Sequence, residues 1–113
     1  MVTIYGIRNC DTMKKAFAWL DANGVAYRFH DYKKDGANGA LLRRWIDRLG
    51  WEKMLNRAGT TFRNLPDPDK SGIDADKAAS LMEEQPSMIR RPVLEAGDRL
   101  IVGFDPREYQ SLL

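Results

Sequence analysis

The chain of 113 residues contains one cysteine and one histidine. A lone cysteine closes no internal disulfide, which excludes a disulfide-stapled secreted scaffold. A lone histidine excludes a His-rich metal site, and Cys10 with His30 would make a poor zinc shell, so no metal is expected. No apolar run approaches membrane-spanning length, and no basic segment followed by a hydrophobic stretch opens the chain. The expectation is a cytoplasmic protein with no membrane partner. A net charge of +2 is too small to argue for nucleic acid, although Arg43-Arg44 and Arg90-Arg91 are local concentrations. Repeats, low-complexity tracts and linkers are also missing. What remains, 43% hydrophobic and 30% charged residues, is the composition of one globular domain.

Val2-Thr3-Ile4-Tyr5 reads as a strand and Gly6-Ile7-Arg8-Asn9 as a turn. From Asp11 onward Met13, Ala16, Phe17 and Leu20 fall at helical spacing, until Asn23-Gly24 stops the helix. Val25, Tyr27 and Phe29 alternate with Ala26, Arg28 and His30 and predict a second strand; a polar loop follows over 33–39. Leu41, Leu42, Trp45, Ile46 and Leu49 line a helix ending at Gly50, with a further helical turn over 51–55. Residues 56–72 form the longest irregular segment, and a helix from Asp74 stops before Pro86. Residues 92–95 and 99–102 flank Ala96-Gly97-Asp98 as a β-hairpin. Asp105, Pro106 and Glu108 supply a cap, a first position and a capping-box pattern for the last helix. The order β-α-β, helical insertion, β-β-α predicts a thioredoxin-like α/β fold with a mixed four-stranded sheet. It spans residues 1–113 as one domain, with the insertion at about 38–90.

Cys10 stands at the junction of the first strand and helix. Free backbone N–H groups and the positive dipole end favour a thiolate there, and Arg8, Lys14 and Lys15 add positive charge. The alternative is a buried, inert cysteine. A dithiol oxidoreductase has a second cysteine three positions on, where this chain has Met13. Turnover through Cys10 therefore needs an external thiol, with glutathione the simplest co-substrate, and no bound cofactor is expected. In a thioredoxin-like fold Arg90-Arg91-Pro92 would approach the cysteine, and an X–Pro bond at that place is commonly cis. Arg91 would bring a guanidinium to a thiolate, oxyanion or carboxylate; alternatively both arginines are solvated charges.

The run Ile4-Tyr5-Gly6-Ile7-Arg8-Asn9-Cys10-Asp11-Thr12-Met13-Lys14-Lys15-Ala16 resembles the start of the arsenate reductase/Spx (ArsC-like) family, in particular its small YffB-like branch. Asn56-Arg57-Ala58-Gly59-Thr60-Thr61-Phe62-Arg63, Pro86 to Val93 and Gly103-Phe104 extend the likeness over nearly the whole chain. The resemblance implies that Cys10 is the reactive thiol, that Arg91 precedes a cis-proline, Pro92, and that Arg57 is a second active-site arginine. The chain also departs from the family's glutathione-dependent arsenate reductases. Gly6, Met13 and Phe104 stand where those carry a histidine, a serine and a third arginine, and Met13 also removes the Cys-x-x-Cys switch of Spx-type regulators.

The leading expectation is a glutathione-dependent thiol oxidoreductase acting on an oxidised small-molecule or protein thiol through a mixed disulfide on Cys10. Arg91 would stabilise the thiolate and orient the anionic partner, with Arg57 assisting and Pro92 beside the site. Asn9 and Thr12 could hydrogen-bond near the sulfur, or serve only the turn and helix start. Asp11 is read as a helix-start residue. One alternative makes arsenate the substrate. Another is a non-enzymatic regulator like Spx, contacting RNA polymerase through a surface around Trp45 and Trp51; that reading is the less favoured, since core packing explains the tryptophans as well.

Overall fold

A computed structural model describes residues 1–113. The chain divides into two compact units, one of Met1–Asp35 with Arg91–Leu113 and one of Gly36–Arg90. The first unit contains β1 (Val2–Gly6), α1 (Asp11–Ala22), β2 (Tyr27–Asp31), α2 (Tyr32–Asp35), β3 (Val93–Ala96), β4 (Arg99–Val102) and a closing helical turn at Pro106–Tyr109. Its strands form one sheet in the order β2-β1-β3-β4. β1 and β2 are parallel, while β3 is antiparallel to both β1 and β4. This is the thioredoxin-like α/β fold that the element order predicts.

Successive strand residues face opposite sides of a sheet. Ile4 faces α1 and joins Met13, Ala16, Leu20, Leu94, Ile101 and Tyr109 in a core of buried residues. Met13, Ala16 and Leu20 recur at one helical face and have no exposed surface. Full burial contributes about 1.5–3 kcal/mol for each of Met13 and Leu20. Gly6 lies under α1: a Cβ there would meet the sulfur of Met13 and stand 2.8 Å from its Cε. Tyr5 turns to the other face, where it meets His30 and Tyr32.

The second strand begins at Tyr27, two residues later than the alternation predicts. The Val25 amide donates to the Leu20 carbonyl at 3.0 Å, which ties Val25 to the end of α1 before sheet pairing starts opposite Val2. The predicted polar loop also contains a helical turn, α2. Its start is capped by Asp31, whose Oδ1 accepts from the Lys33 amide at 2.9 Å.

The second unit contains α3 (Gly39–Leu49), α4 (Trp51–Met54), α5 (Thr60–Arg63), α6 (Asp67–Lys70) and α7 (Ala75–Glu84). Asn38 caps α3 by accepting from the Ala40 and Leu41 amides at 2.8 and 3.2 Å, and Asp74 caps α7 through the Lys77 amide. α3 packs against α7, burying Leu42, Trp45, Ile46, Ala78, Ala79 and Met82, and Arg43 pairs with Asp76. Residues 56–72 are not wholly irregular, because α5 and α6 form single turns within them. Leu55 and Ile89 form an isolated antiparallel bridge. No helix is long and apolar enough to cross a membrane.

Candidate active site

The register of the first unit brings four chain segments to one edge of the sheet. Gly6 pairs with Asp31, Tyr5 with Val93, and Val93 with Val102. The ends of β1, β2 and β4 and the beginning of β3 therefore share that edge, which carries Cys10, Tyr32, Arg91 and Pro92. The Gly103 amide donates to the Pro92 carbonyl at 2.8 Å and closes the corner. The Arg91–Pro92 peptide is cis.

Cys10 is the N-cap of α1, with extended backbone angles of −143° and 131°. Its carbonyl accepts from the Lys14 amide at 3.0 Å, the first bond of the helix. Its side chain is free and partly exposed. Partial burial pushes the thiol pKa up, but the donors around the sulfur, the Met13 amide first and then the Arg91 side chain and the Thr12 amide, favour the thiolate and together hold the pKa below its ordinary value. The guanidinium of Arg91 adds charge attraction. A thiol held this way spends more of its time as the nucleophilic thiolate than a free cysteine does.

Other predicted site residues sit differently. Arg8, expected to support the thiolate, places its guanidinium 5.1 Å from the centre of the Phe29 ring, and the pull on Cys10 comes from Arg91 instead. Lys14 and Lys15 point to solvent from the first turn of α1. Thr12 acts on the sulfur through its backbone amide. Asn9 is exposed in the bend before Cys10. Arg57 belongs to the second unit, where its guanidinium lies 5.2 Å from the centre of the Trp51 ring. Trp45 is core, at 1% exposure, and offers no surface.

The positions that depart from the arsenate reductase pattern have structural occupants. Met13 is wholly buried against Gly6, so these two departures are one packing arrangement. Phe104 stacks edge-on against Tyr109 at 4.9 Å. Arg107 is exposed and pairs with Asp105 at 3.3 Å, so it does not stand in for a third site arginine.

At the same edge of the sheet lies a group that the residue pattern does not single out. The Tyr5 hydroxyl donates to Glu95 Oε1 at 2.7 Å, and the Tyr5, His30 and Tyr32 rings pack together at 5.0–6.5 Å between centres. The signal that could have found it is the strand period: Tyr5 must face away from Ile4, toward the polar members of the neighbouring strands.

Comparison with known proteins agrees with the fold. A solved structure of a YffB protein superimposes with a TM-score of 0.96 at 55% identity, covering 98% of this chain and 97% of that one. An arsenate reductase (ArsC) related protein from Brucella melitensis is also 55% identical, with a TM-score of 0.77 over 97% of this chain and 92% of its own. A global transcriptional regulator Spx from Streptococcus agalactiae is 29% identical over 120 residues, covering all of this chain and 83% of the regulator. The ArsC family profile matches residues 5–112. The chain belongs to the ArsC family.

Proposed function

We propose that the protein is a thiol oxidoreductase that uses Cys10 as its only redox thiol and glutathione as its reductant. The observation that carries this reading is a cysteine at a helix start, its thiolate favoured by Arg91 and two backbone amides, with buried Met13 where a resolving thiol would stand. The Cys10 thiolate attacks the sulfur of an oxidised thiol, for example a glutathionylated peptide. A Cys10–glutathione disulfide forms, and the peptide thiolate leaves and takes a proton. Glutathione thiolate then attacks the glutathione sulfur of that disulfide, releasing oxidised glutathione and restoring the Cys10 thiolate. Arg91 holds the thiolate before attack and again as it leaves. Roles for Arg57, Asn9 and Pro92 in holding glutathione rest on the family resemblance. Such chemistry suits a reducing, glutathione-containing compartment such as the cytoplasm.

Arsenate is the weaker substrate in this reading, because Met13 and Phe104 offer an oxyanion neither a hydroxyl nor a guanidinium. Charge-assisted bonds of that kind contribute about 1.5–3 kcal/mol each. The kinship with Spx regulators favours a second reading, a regulator that acts by binding. Steady-state assays with glutathione and either a glutathionylated peptide or arsenate compare the readings. The expected result is turnover of the peptide, its abolition by Cys10→Ser, and little arsenate reduction. Efficient arsenate turnover would reverse the ranking. Inactivity on both substrates, with Cys10→Ser still binding a cellular partner, would favour the regulator.

A further inference from the structure

The fold fixes Arg8 close to Cys10 and turns its charge elsewhere. The Cys10 amide donates to the Arg8 carbonyl at 3.1 Å, and their Cα atoms, two peptide units apart, lie within about 7.6 Å of each other. From this turn the exposed Arg8 side chain reaches β2, where its guanidinium lies 5.1 Å from the centre of the Phe29 ring. An aromatic row continues from there: Phe17 of α1 is edge-on to Phe29 at 5.1 Å and stacked on Tyr27 at 5.6 Å. These four side chains line an open groove of about 550 Å³, within the range of about 300–1,000 Å³ typical of ligand pockets. β2 is an edge strand, so no further strand covers this flank of the sheet.

Packing accounts for the three half-buried rings, which rest against the core of the first unit. It does not account for the guanidinium. Arg8 forms no ion pair, unlike Arg43 and Arg107, and the contact with Phe29 leaves its N–H donors open to a carboxylate. The far end of the groove has the opposite charge. Asp21 stands one turn beyond Phe17 on α1, and burial followed by Asp21 pushes the Tyr27 phenol up. An occupant with its carboxylate at Arg8 and an aromatic group at Phe17 and Tyr27 meets attraction at the Cys10 end and avoids repulsion at the other. The reaction proposed above supplies one: the peptide whose thiolate leaves as Cys10 takes its glutathione. We propose that the groove of Arg8, Phe17, Tyr27 and Phe29 seats the peptide flanking the glutathionylated cysteine, with Arg8 selecting an acidic residue and the rings an aromatic residue two positions farther on. In an extended peptide residues i and i+2 share one face, so both side chains reach the groove together. This substrate class rests on the reading of Cys10 as the reacting thiolate.

The test uses two glutathionylated peptides. One has glutamate beside the modified cysteine and phenylalanine two positions farther on; the other has lysine in place of the glutamate. kcat/KM is measured for each with the wild type and with Arg8→Glu, a change at an exposed position. The ratio between peptides cancels any general loss of activity in the variant. The wild type should prefer the glutamate peptide by about fivefold, and Arg8→Glu should reverse the preference. Equal values for the two peptides, or a preference that Arg8→Glu leaves in place, would overturn the proposal. Amide NMR shifts report the groove without turnover, with the glutamate peptide carrying serine in place of cysteine titrated into the wild type. Shifts centred on Phe17, Tyr27 and Phe29 support the proposal, and shifts elsewhere or none refute it. Shifts of those amides with protein concentration alone would assign the groove to a second copy of the chain and refute it too. Turnover with neither preference nor groove shifts defeats the groove alone; groove shifts without turnover of any peptide defeat the glutathione reading alone.

Discussion

In the proposed reaction Cys10 and Arg91 carry the chemistry, and their coupling has a definite sign. A thiol whose folded pKa lies below its unfolded value stabilises the fold above the unfolded pKa, about 8.5. That contribution is lost as pH falls through the folded pKa, because the unfolded chain binds the proton first. The stability difference between wild type and Cys10→Ser should therefore grow with pH across that window. Alkylation of Cys10 by iodoacetamide should show the same midpoint, and Arg91→Ala should move it upward by removing one hydrogen bond and one charge from the sulfur. An unshifted midpoint in both proteins would mean that Arg91 does not act on Cys10. At this scale the sequence revealed the cysteine, because a strand-to-helix junction can be read from local pattern. It left Arg91 undecided between site and solvent, since the contact joins residues 10 and 91.

At the scale of elements, β1 and α1 are matched through one contact. Gly6 is small because Met13 occupies the space above it. Gly6→Ala should destabilise the fold by about 1–3 kcal/mol through overpacking. In a Met13→Ala background the same change should cost much less, since the methyl then enters vacated space. Denaturant unfolding of the four proteins measures the coupling, expected at about 0.5–3 kcal/mol, and strict additivity would contradict the contact. Elements with long amphipathic patterns were readable: α1, α3 and α7 each bury one face, and Gly97 supplies the positive φ of the hairpin turn. Two single-turn elements were also read, α4 and the closing turn with its Asp105 cap and Pro106; α2, α5 and α6, of four residues each and too short for a period to appear, were not. The turn formers that make 56–72 look irregular also start short helices, as Pro66 and Pro68 do at the head of α6.

For the whole molecule, element order was enough to predict a thioredoxin-like sheet, since two strands joined through a helix and a later hairpin leave few ways to pair. The order β2-β1-β3-β4 delivers Cys10, Tyr32, Arg91 and Pro92 to one edge from segments up to 82 residues apart. The central claim is that a single thiolate, held by Arg91 and lacking an internal partner, is regenerated by an external thiol. The direct measurement begins with protein carrying glutathione on Cys10 and follows its mass after reduced glutathione is added as the sole reductant. Complete return to free Cys10 with stoichiometric oxidised glutathione is expected, and a slower return in Arg91→Ala. A mixed disulfide that persists under glutathione and yields only to a dithiol reductant would contradict that claim.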